Sequence, residues 1–279
     1  MEKYYLANYI HEVMNMVQKN MVTKTELVRV LKQLLPDNCS SVIIHTSLSS
    51  IGYIPGGTQS YIDAWIEVMS NEGTIIMPAQ NANNSDPSFW KNPPVPKEWW
   101  QTIRDEMPAY RKDITPTAYI GKVPETFRQY PGVERSSHPT CSFAALGPLA
   151  TYFMGTHPLD DCFNLDSPLG RIIEKDTWCA LVGVGYDACT AMHLGEALSG
   201  KLPLFTQGSA ILNEKGKREW VNYLSREERS EDFPLIGNEF EKTYSGDVIK
   251  GKIGEANITL IKLKPLVEYT AKWFKEEVK

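Results

Sequence analysis

His193 and Glu196 stand three residues apart at the end of the stretch Gly183-Val-Gly-Tyr-Asp-Ala-Cys-Thr-Ala-Met-His-Leu-Gly-Glu196, which also carries Asp187 and Thr190. On a helix, residues three apart share a face. A histidine titrates near neutral pH, and a carboxylate beside it can fix its tautomer and stabilise its protonated form, which are the properties of a general base. The same pair can equally do no more than close a structural hydrogen bond, because short motifs of this kind often match by chance.

Three other segments concentrate hydroxyls and turn-forming residues: His45-Thr-Ser-Leu-Ser-Ser-Ile-Gly52, Arg135-Ser-Ser-His-Pro-Thr-Cys-Ser142 and Ser167-Pro-Leu-Gly170. Each is expected beside a strand or helix end, where hydroxyls and backbone amides can hold a phosphate or a carbonyl oxygen. Taken singly, each could instead be capping its own backbone. His11 and His157 have no evident partner, and no His-Glu-x-x-His pattern marks a metal site.

The elements that must position these residues follow from apolar patterning. The run Trp178-Cys-Ala-Leu-Val-Gly-Val184, bounded by Gly185, predicts a buried strand, and residues 190–198 a helix capped by Asp187 or Thr190. Thr23-Lys-Thr-Glu26 matches a capping box and opens an amphipathic helix over residues 27–35, ended by Pro36. Ser41-Val-Ile-Ile-His45 predicts a strand, residues 46–57 a loop, Thr58 the cap of a helix reaching Ser70, and Thr74-Ile-Ile-Met77 a second strand. That order makes a βαβ unit and an α/β fold whose ligands gather at strand ends.

Residues 79–118 are rich in turns and carry Trp90, Trp99 and Trp100. They read as a binding loop or lid, or as a surface excursion whose tryptophans pack onto the core. Ser209-Ala-Ile-Leu212 and Glu219-Trp-Val-Asn-Tyr223 flank Asn213-Glu-Lys-Gly216 and predict a hairpin, while residues 226–232 mix both charge signs and read as a solvated loop or helix face. The expected architecture is α/β, a central mixed sheet flanked by helices, with an inserted long loop and a small hairpin elaboration. With no repeat, low-complexity tract or linker, one domain is the simpler organisation.

At 279 residues the chain can bury a substantial core, and 42% hydrophobic with 23% charged residues is ordinary for a soluble globular protein. A net charge of -5 gives no reason to expect nucleic acid or an anionic membrane as partner and better suits a cationic small molecule. Neither a signal peptide after Met1-Glu-Lys-Tyr-Tyr nor a membrane-spanning run is evident. The five cysteines, Cys39, Cys141, Cys162, Cys179 and Cys189, form no Cys-x-x-Cys pair and read as reduced cytoplasmic thiols rather than disulfides or a zinc site.

In this order, His-Thr-Ser-Leu, Arg-Ser-Ser-His-Pro-x-x-Ser-Phe-Ala, Ser-Pro-Leu-Gly and Gly-Val-Gly-Tyr-Asp-x-Cys-Thr-x-x-His-Leu-x-Glu closely resemble the aminoglycoside 3-N-acetyltransferase family, which is distinct from the GNAT acetyltransferases. The resemblance runs from about Thr23 to about Lys264. It implies a cytoplasmic antibiotic-resistance enzyme, residues 1–279 forming a single N-acetyltransferase domain. Acetyl-coenzyme A would be the cosubstrate, with no metal, and the acceptor the 3-amino group of a 2-deoxystreptamine aminoglycoside. A homodimer is compatible with it.

Residue by residue, the resemblance makes His193 the catalytic histidine, Glu196 its carboxylate and Asp187 an acid on the acceptor side. It assigns Ser47, Leu48, Ser49, Arg135, Ser136, Ser137 and His138 to the coenzyme A site, with Ser167 and Leu169 as further candidates. Two departures are Thr46, where serine is commoner, and Gly195, where alanine is common; Gly195 lowers helix propensity.

Acetylation needs a neutral amine and a stabilised oxyanion. His193 is expected to be the base, with Glu196 orienting it and Thr190 either donating to the thioester oxygen or capping a helix. Asp187, Asp86 and Asp160 are candidates to hold a polycationic acceptor, although most surface carboxylates only face water. Direct transfer competes with an acetyl-Cys189 intermediate, set against the commoner fate of an unpaired cysteine as a small core residue. Other readings are a different small amine as acceptor, a thioester or amide hydrolase using Cys189 or water, and a non-catalytic binding protein.

Overall fold

In a computed structural model, residues 20–278 are described; His11 and the N-terminal sequence read above lie outside them. Thr23 accepts the Glu26 amide and opens helix α1 (Lys24–Leu34), as the capping-box pattern requires. Strand β1 (Ser41–Thr46), helix α2 (Gly57–Met69) and strand β2 (Thr74–Pro78) form the expected βαβ unit, with β1 and β2 parallel. Thr58 does not cap α2. The chain enters through Gly56 in the left-handed region at φ 81°, and Thr58 lies inside the helix with its hydroxyl bonded to Thr126.

Next come α3 (Trp100–Glu106), α4 (Lys122–Phe127), β3 (Glu134–Arg135), β4 (Phe143–Leu146), α5 (Ala150–Phe153), α6 (Pro168–Ile173) and β5 (Thr177–Val182). They are followed by α7 (Met192–Ser199), β6 (Leu204–Leu212), β7 (Arg218–Arg226), α8 (Phe233–Thr243), β8 (Val248–Ile253), β9 (Ala256–Lys262) and α9 (Leu263–Glu277).

Seven strands form one mixed sheet in the order β3-β4-β2-β1-β5-β9-β8. Parallel β2, β1 and β5 make its centre, and every β2 and β5 residue is buried, as expected where helices cover both faces. Alternation along β1 divides the core. Val42 and Ile44 face a cluster with Leu27, Leu31, Tyr61 and Trp65 from α1 and α2. Ile43 joins Cys179, Leu194, Leu266 and Phe274 on the opposite face, where α7 and α9 pack.

The predicted hairpin is present and longer than its apolar core, pairing β6 with β7 from Leu204↔Arg226 to Leu212↔Arg218 outside the main sheet. Residues 79–118 are an ordered layer on this hairpin: the Asp86 amide donates to Gln207 Oε1 (2.8 Å), Tyr110 N to Ala210 O (2.8 Å) and Arg218 Nε to Met107 O (2.7 Å). Their tryptophans do not enter the core, since Trp90 and Trp100 are half-buried and Trp99 is exposed.

Helix α7 also departs from expectation, starting at Met192 without a side-chain cap. Gly183, at φ 65°, turns the chain out of β5, and Tyr186–Ala188 closes a separate 3-10 turn in which Cys189 N donates to Tyr186 O (2.8 Å). Asp187 is therefore consumed by that turn before the helix begins. Among the described residues, no helix is long and apolar enough to cross a membrane.

Candidate active site

The C-terminal ends of parallel β1 and β5 lie side by side, and the loops that leave them are joined by Ser47 N donating to Val182 O (2.9 Å). A crevice at the carboxyl ends of neighbouring parallel strands is where open α/β sheets bind ligands. Its first loop makes a 3-10 turn, Leu48–Ser50, in which Ser50 Oγ donates to Ser47 Oγ (2.8 Å) and the Ser47 and Ser49 hydroxyls stand 3.3 Å apart. The second loop leads through Thr190 into α7 and His193.

His193 is held on every side. Its Nδ1 donates to Glu196 Oε2 at 2.6 Å, closing the pair that helical spacing predicts. Phe163 stacks on the ring at 5.2 Å and 13°, and Phe233 packs at 4.9 Å. Glu196 is 1% exposed, and its second oxygen accepts the Arg229 amide at 2.7 Å, so the carboxylate is fixed at both ends. The other ring nitrogen, Nε2, points toward Glu228 Oε2 at 3.7 Å. Burial disfavours the imidazolium, but the Glu228 charge and then the Glu196 hydrogen bond and charge outweigh it, raising the His193 pKa to about 9.

His193 lines one cleft, and its neighbours Phe163 and Glu228 line a second that adjoins it. The first, about 810 Å³, is lined by Ser47, Leu48, Ser49, Asp187, Thr190 and His193. The second, about 690 Å³, is lined by Phe163, Cys141, Phe205, Glu227 and Glu228. Gln80, Tyr119 and Ile120 border both.

Thus Ser47, Leu48, Ser49, Asp187, Thr190 and His193 converge, and Glu196 lies directly behind them. The other sequence candidates sit elsewhere. Arg135 is buried with its guanidinium bonded to Ser142 Oγ and to the carbonyls of Ala79 and Thr115. Ser136 Oγ accepts the Phe143 amide and meets His157 Nδ1, while His138 Nε2 donates to Leu159 O and its Nδ1 accepts the Thr140 and Cys141 amides. Ser137 borders a separate cleft with Tyr110 and Leu212. Ser167 caps α6 through the Leu169 amide, and Leu169 is a fully buried core residue.

Neither Asp86 nor Asp160 lines the two clefts. Asp86 forms a two-bond fork with Arg104 (2.8 and 3.0 Å) and accepts from Ser88, and Asp160 accepts the Leu224 amide (2.7 Å). Cys189 is wholly buried, its sulfur 3.7 Å from that of Cys179. Glu228, Phe163 and Phe233 are the residues that sequence reasoning passed over. Glu228 sits in the mixed-charge stretch, where residues 227–229 link the end of β7 at Arg226 to a 3-10 turn at Ser230–Asp232 and turn Glu228 and the Arg229 amide toward the His193–Glu196 pair; nothing in linear spacing marks that.

A family model described as aminoglycoside 3-N-acetyltransferase matches residues 43–275. The SPbeta prophage-derived aminoglycoside N(3')-acetyltransferase-like protein YokD of Bacillus subtilis is 41% identical over 253 residues, spanning 90% of this chain and 92% of that protein. The YokD crystal structure matches with a TM-score of 0.89, covering 92% of this chain and 95% of that one. Aminoglycoside N(3)-acetyltransferase IX of Micromonospora chalcea is 32% identical over 270 residues, 92% of this chain and 95% of its own. A neutron and X-ray structure of sisomicin-bound AAC-VIa, 27% identical, matches with a TM-score of 0.80 over 93% of this chain and 100% of that one. With this architecture and a family match running from β1 into α9, the chain belongs to the aminoglycoside 3-N-acetyltransferase family.

Proposed function

We propose that this protein is an acyltransferase that moves the acetyl group of acetyl-coenzyme A to the 3-amino group of a 2-deoxystreptamine aminoglycoside, directly, with His193 as base. The observation that carries the reading is the position of His193, which lines the cleft bordered by the Ser47–Ser49 hydroxyls and turns Nε2 toward Glu228 of the adjoining cleft. The family supplies acetyl transfer to amines, and the chain contributes a site shaped for two substrates. We read residues 1–279 as one such domain, working in the cytoplasm, where thiols stay reduced.

Ser47, Leu48 and Ser49 would hold the coenzyme in the first cleft, with the thioester carbonyl toward Thr190, whose hydroxyl offers a donor to the developing oxyanion. The acceptor ammonium would enter the second cleft and pair with Glu228, while Asp187 supplies negative charge at the first. Arg135, Ser136, His138, Ser167 and Leu169 would serve the site through the scaffold they hold together, with Ser137 at the surface beside them.

In the free protein His193 keeps its proton at neutral pH. An ammonium that pairs with Glu228 removes the charge holding that proton, so the acceptor itself readies the base. The imidazolium proton passes to solvent, neutral Nε2 takes one proton from the ammonium and frees its lone pair, the nitrogen bonds to the acetyl carbon, the carbon–sulfur bond breaks, and the second proton on nitrogen passes to the departing thiolate to give the thiol of coenzyme A. Glu196 steadies the resulting imidazolium through Nδ1. The burial of Cys189 against Cys179 favours this path over an acetyl-cysteine.

The test is thiol release from acetyl-coenzyme A over a panel of 2-deoxystreptamine aminoglycosides and simple amines, with mass spectrometry of the quenched protein. Acetylated aminoglycoside without acetyl-protein is expected. Turnover of simple amines alone would overturn the acceptor, release without any amine would mean hydrolysis, and a mass shift abolished by Cys189→Ala would overturn direct transfer.

A further inference from the structure

The face of the sheet below the first cleft holds a second cluster of reactive groups. In the β1–β5 register, Ile43 pairs with Cys179 and His45 with Leu181, so His45 and Cys179 lie diagonally on one face. Cys189, in the turn before α7, packs onto the same spot. One ligand atom from each of His45, Cys179 and Cys189 lies within 4.8 Å of the others, and the two sulfurs are 3.7 Å apart. Cys179 and Cys189 are 0% exposed and His45 is 7% exposed.

A pair of buried cysteines is ordinarily inert filling. The histidine argues otherwise, because its Nε2 is buried without any hydrogen-bond partner, and buried polar atoms are nearly always partnered. We propose that His45, Cys179 and Cys189 form a zinc site of the Cys₂His type, tying β1, β5 and the turn that leads to His193.

Three protein ligands with a fourth position left for an exchangeable group is a known zinc arrangement, and sulfurs bonded to one tetrahedral zinc at about 2.3 Å stand about 3.8 Å apart. Charge favours this ion, since Zn²⁺ with two thiolates and a neutral imidazole sums to zero, whereas a monovalent soft ion would leave a buried negative charge. Coordination needs a neutral imidazole and two deprotonated thiols. On binding, two S–H bonds give way to two S–Zn bonds and two protons pass to the buffer; no electron moves.

The other grouping with comparable spacing, His138, Cys141 and Cys162, is less suited. Both ring nitrogens of His138 are already engaged, Nε2 with Leu159 O (3.1 Å) and Nδ1 with the Thr140 and Cys141 amides (3.2 and 3.0 Å). Metal binding at His45 stands whichever amine the protein acetylates.

The experiment titrates the full chain, reduced and stripped of metal, with Co²⁺ and then Zn²⁺. One equivalent of Co²⁺ should give a thiolate-to-cobalt charge-transfer band that Zn²⁺ displaces, with two protons released. Cys179→Ala and Cys189→Ala should abolish the band, His45→Gln should weaken binding at least about tenfold, and Cys141→Ala should leave it intact. Absence of the band in the folded wild type, its survival in both Cys179→Ala and Cys189→Ala, or its loss in Cys141→Ala would overturn the site. Should the buried variants fail to fold, zinc-edge X-ray absorption of the wild type decides instead: two sulfur scatterers support the site, and an all-nitrogen-and-oxygen shell contradicts it.

Discussion

His193 Nε2 faces the Glu228 carboxylate across 3.7 Å, with Glu228 half exposed and the imidazole almost wholly enclosed. The pair joins the buried His193–Glu196 hydrogen bond to a surface that a cationic acceptor can reach. One carboxylate orients the ring, and the other sets its charge until something cationic arrives.

Removing that second charge should be visible without any substrate. In Glu228→Gln the His193 titration, followed by NMR of the ring proton, should move from about 9 to lower pH by on the order of one unit. The KM for the acceptor should rise about tenfold, with that for acetyl-coenzyme A little changed. An unmoved midpoint would show that Glu196 alone holds the proton.

Stability should respond to pH with a defined sign. The folded-state value for His193, about 9, lies above its ordinary 6.5, so the contribution is fully present below pH 6.5 and fades as pH rises through about 9. Relative to His193→Gln, the wild type should lose on the order of 3 kcal/mol across that window. Melting curves of both proteins at a series of pH values provide the check, and a constant difference between them would contradict the assignment.

Gly195 is kept small by a neighbouring helix. A Cβ there would stand 2.6 Å from Thr270 Cβ and 2.9 Å from the Val267 carbonyl oxygen, on α9. Alanine would gain about 1 kcal/mol of helix propensity but incur overpacking of roughly 1–3 kcal/mol against backbone. Gly195→Ala should therefore lower stability by up to about 2 kcal/mol in urea denaturation, and a stabilised variant would show that α7 and α9 separate easily.

The contrast between Glu196 and Glu228 explains what could be read from the sequence. Glu196 lies one helical turn from His193, and the spacing that reveals a helix also reveals the pair. Glu228 is 35 residues away in sequence and reaches the ring only because the loop after β7 folds back across α7. The βαβ unit and the hairpin were legible because short apolar runs and turn residues are local signals. The start of α7 was not, because Gly183 and the turn at Asp187 redirect the chain before the helix begins. Asp86 and Asp160 look like free carboxylates in sequence, and only the fold shows Arg104 and the Leu224 amide occupying them.

Glu196→Gln keeps the volume of the buried side chain but removes the charge facing Nδ1. We expect kcat to fall about 10–100-fold with both KM values within a few-fold, because the lost interaction strengthens only when the imidazolium forms. A change confined to KM would place Glu196 in substrate binding instead.

His193 is proposed to take the proton of the attacking amine. Steady-state acetyl transfer from acetyl-coenzyme A to one aminoglycoside, compared between the wild type and His193→Gln at the same pH, addresses it most directly. A fall in kcat of about 10²–10⁴-fold is expected, with the fold intact and KM for coenzyme little changed; equal rates for the two proteins would rule out His193 as the base.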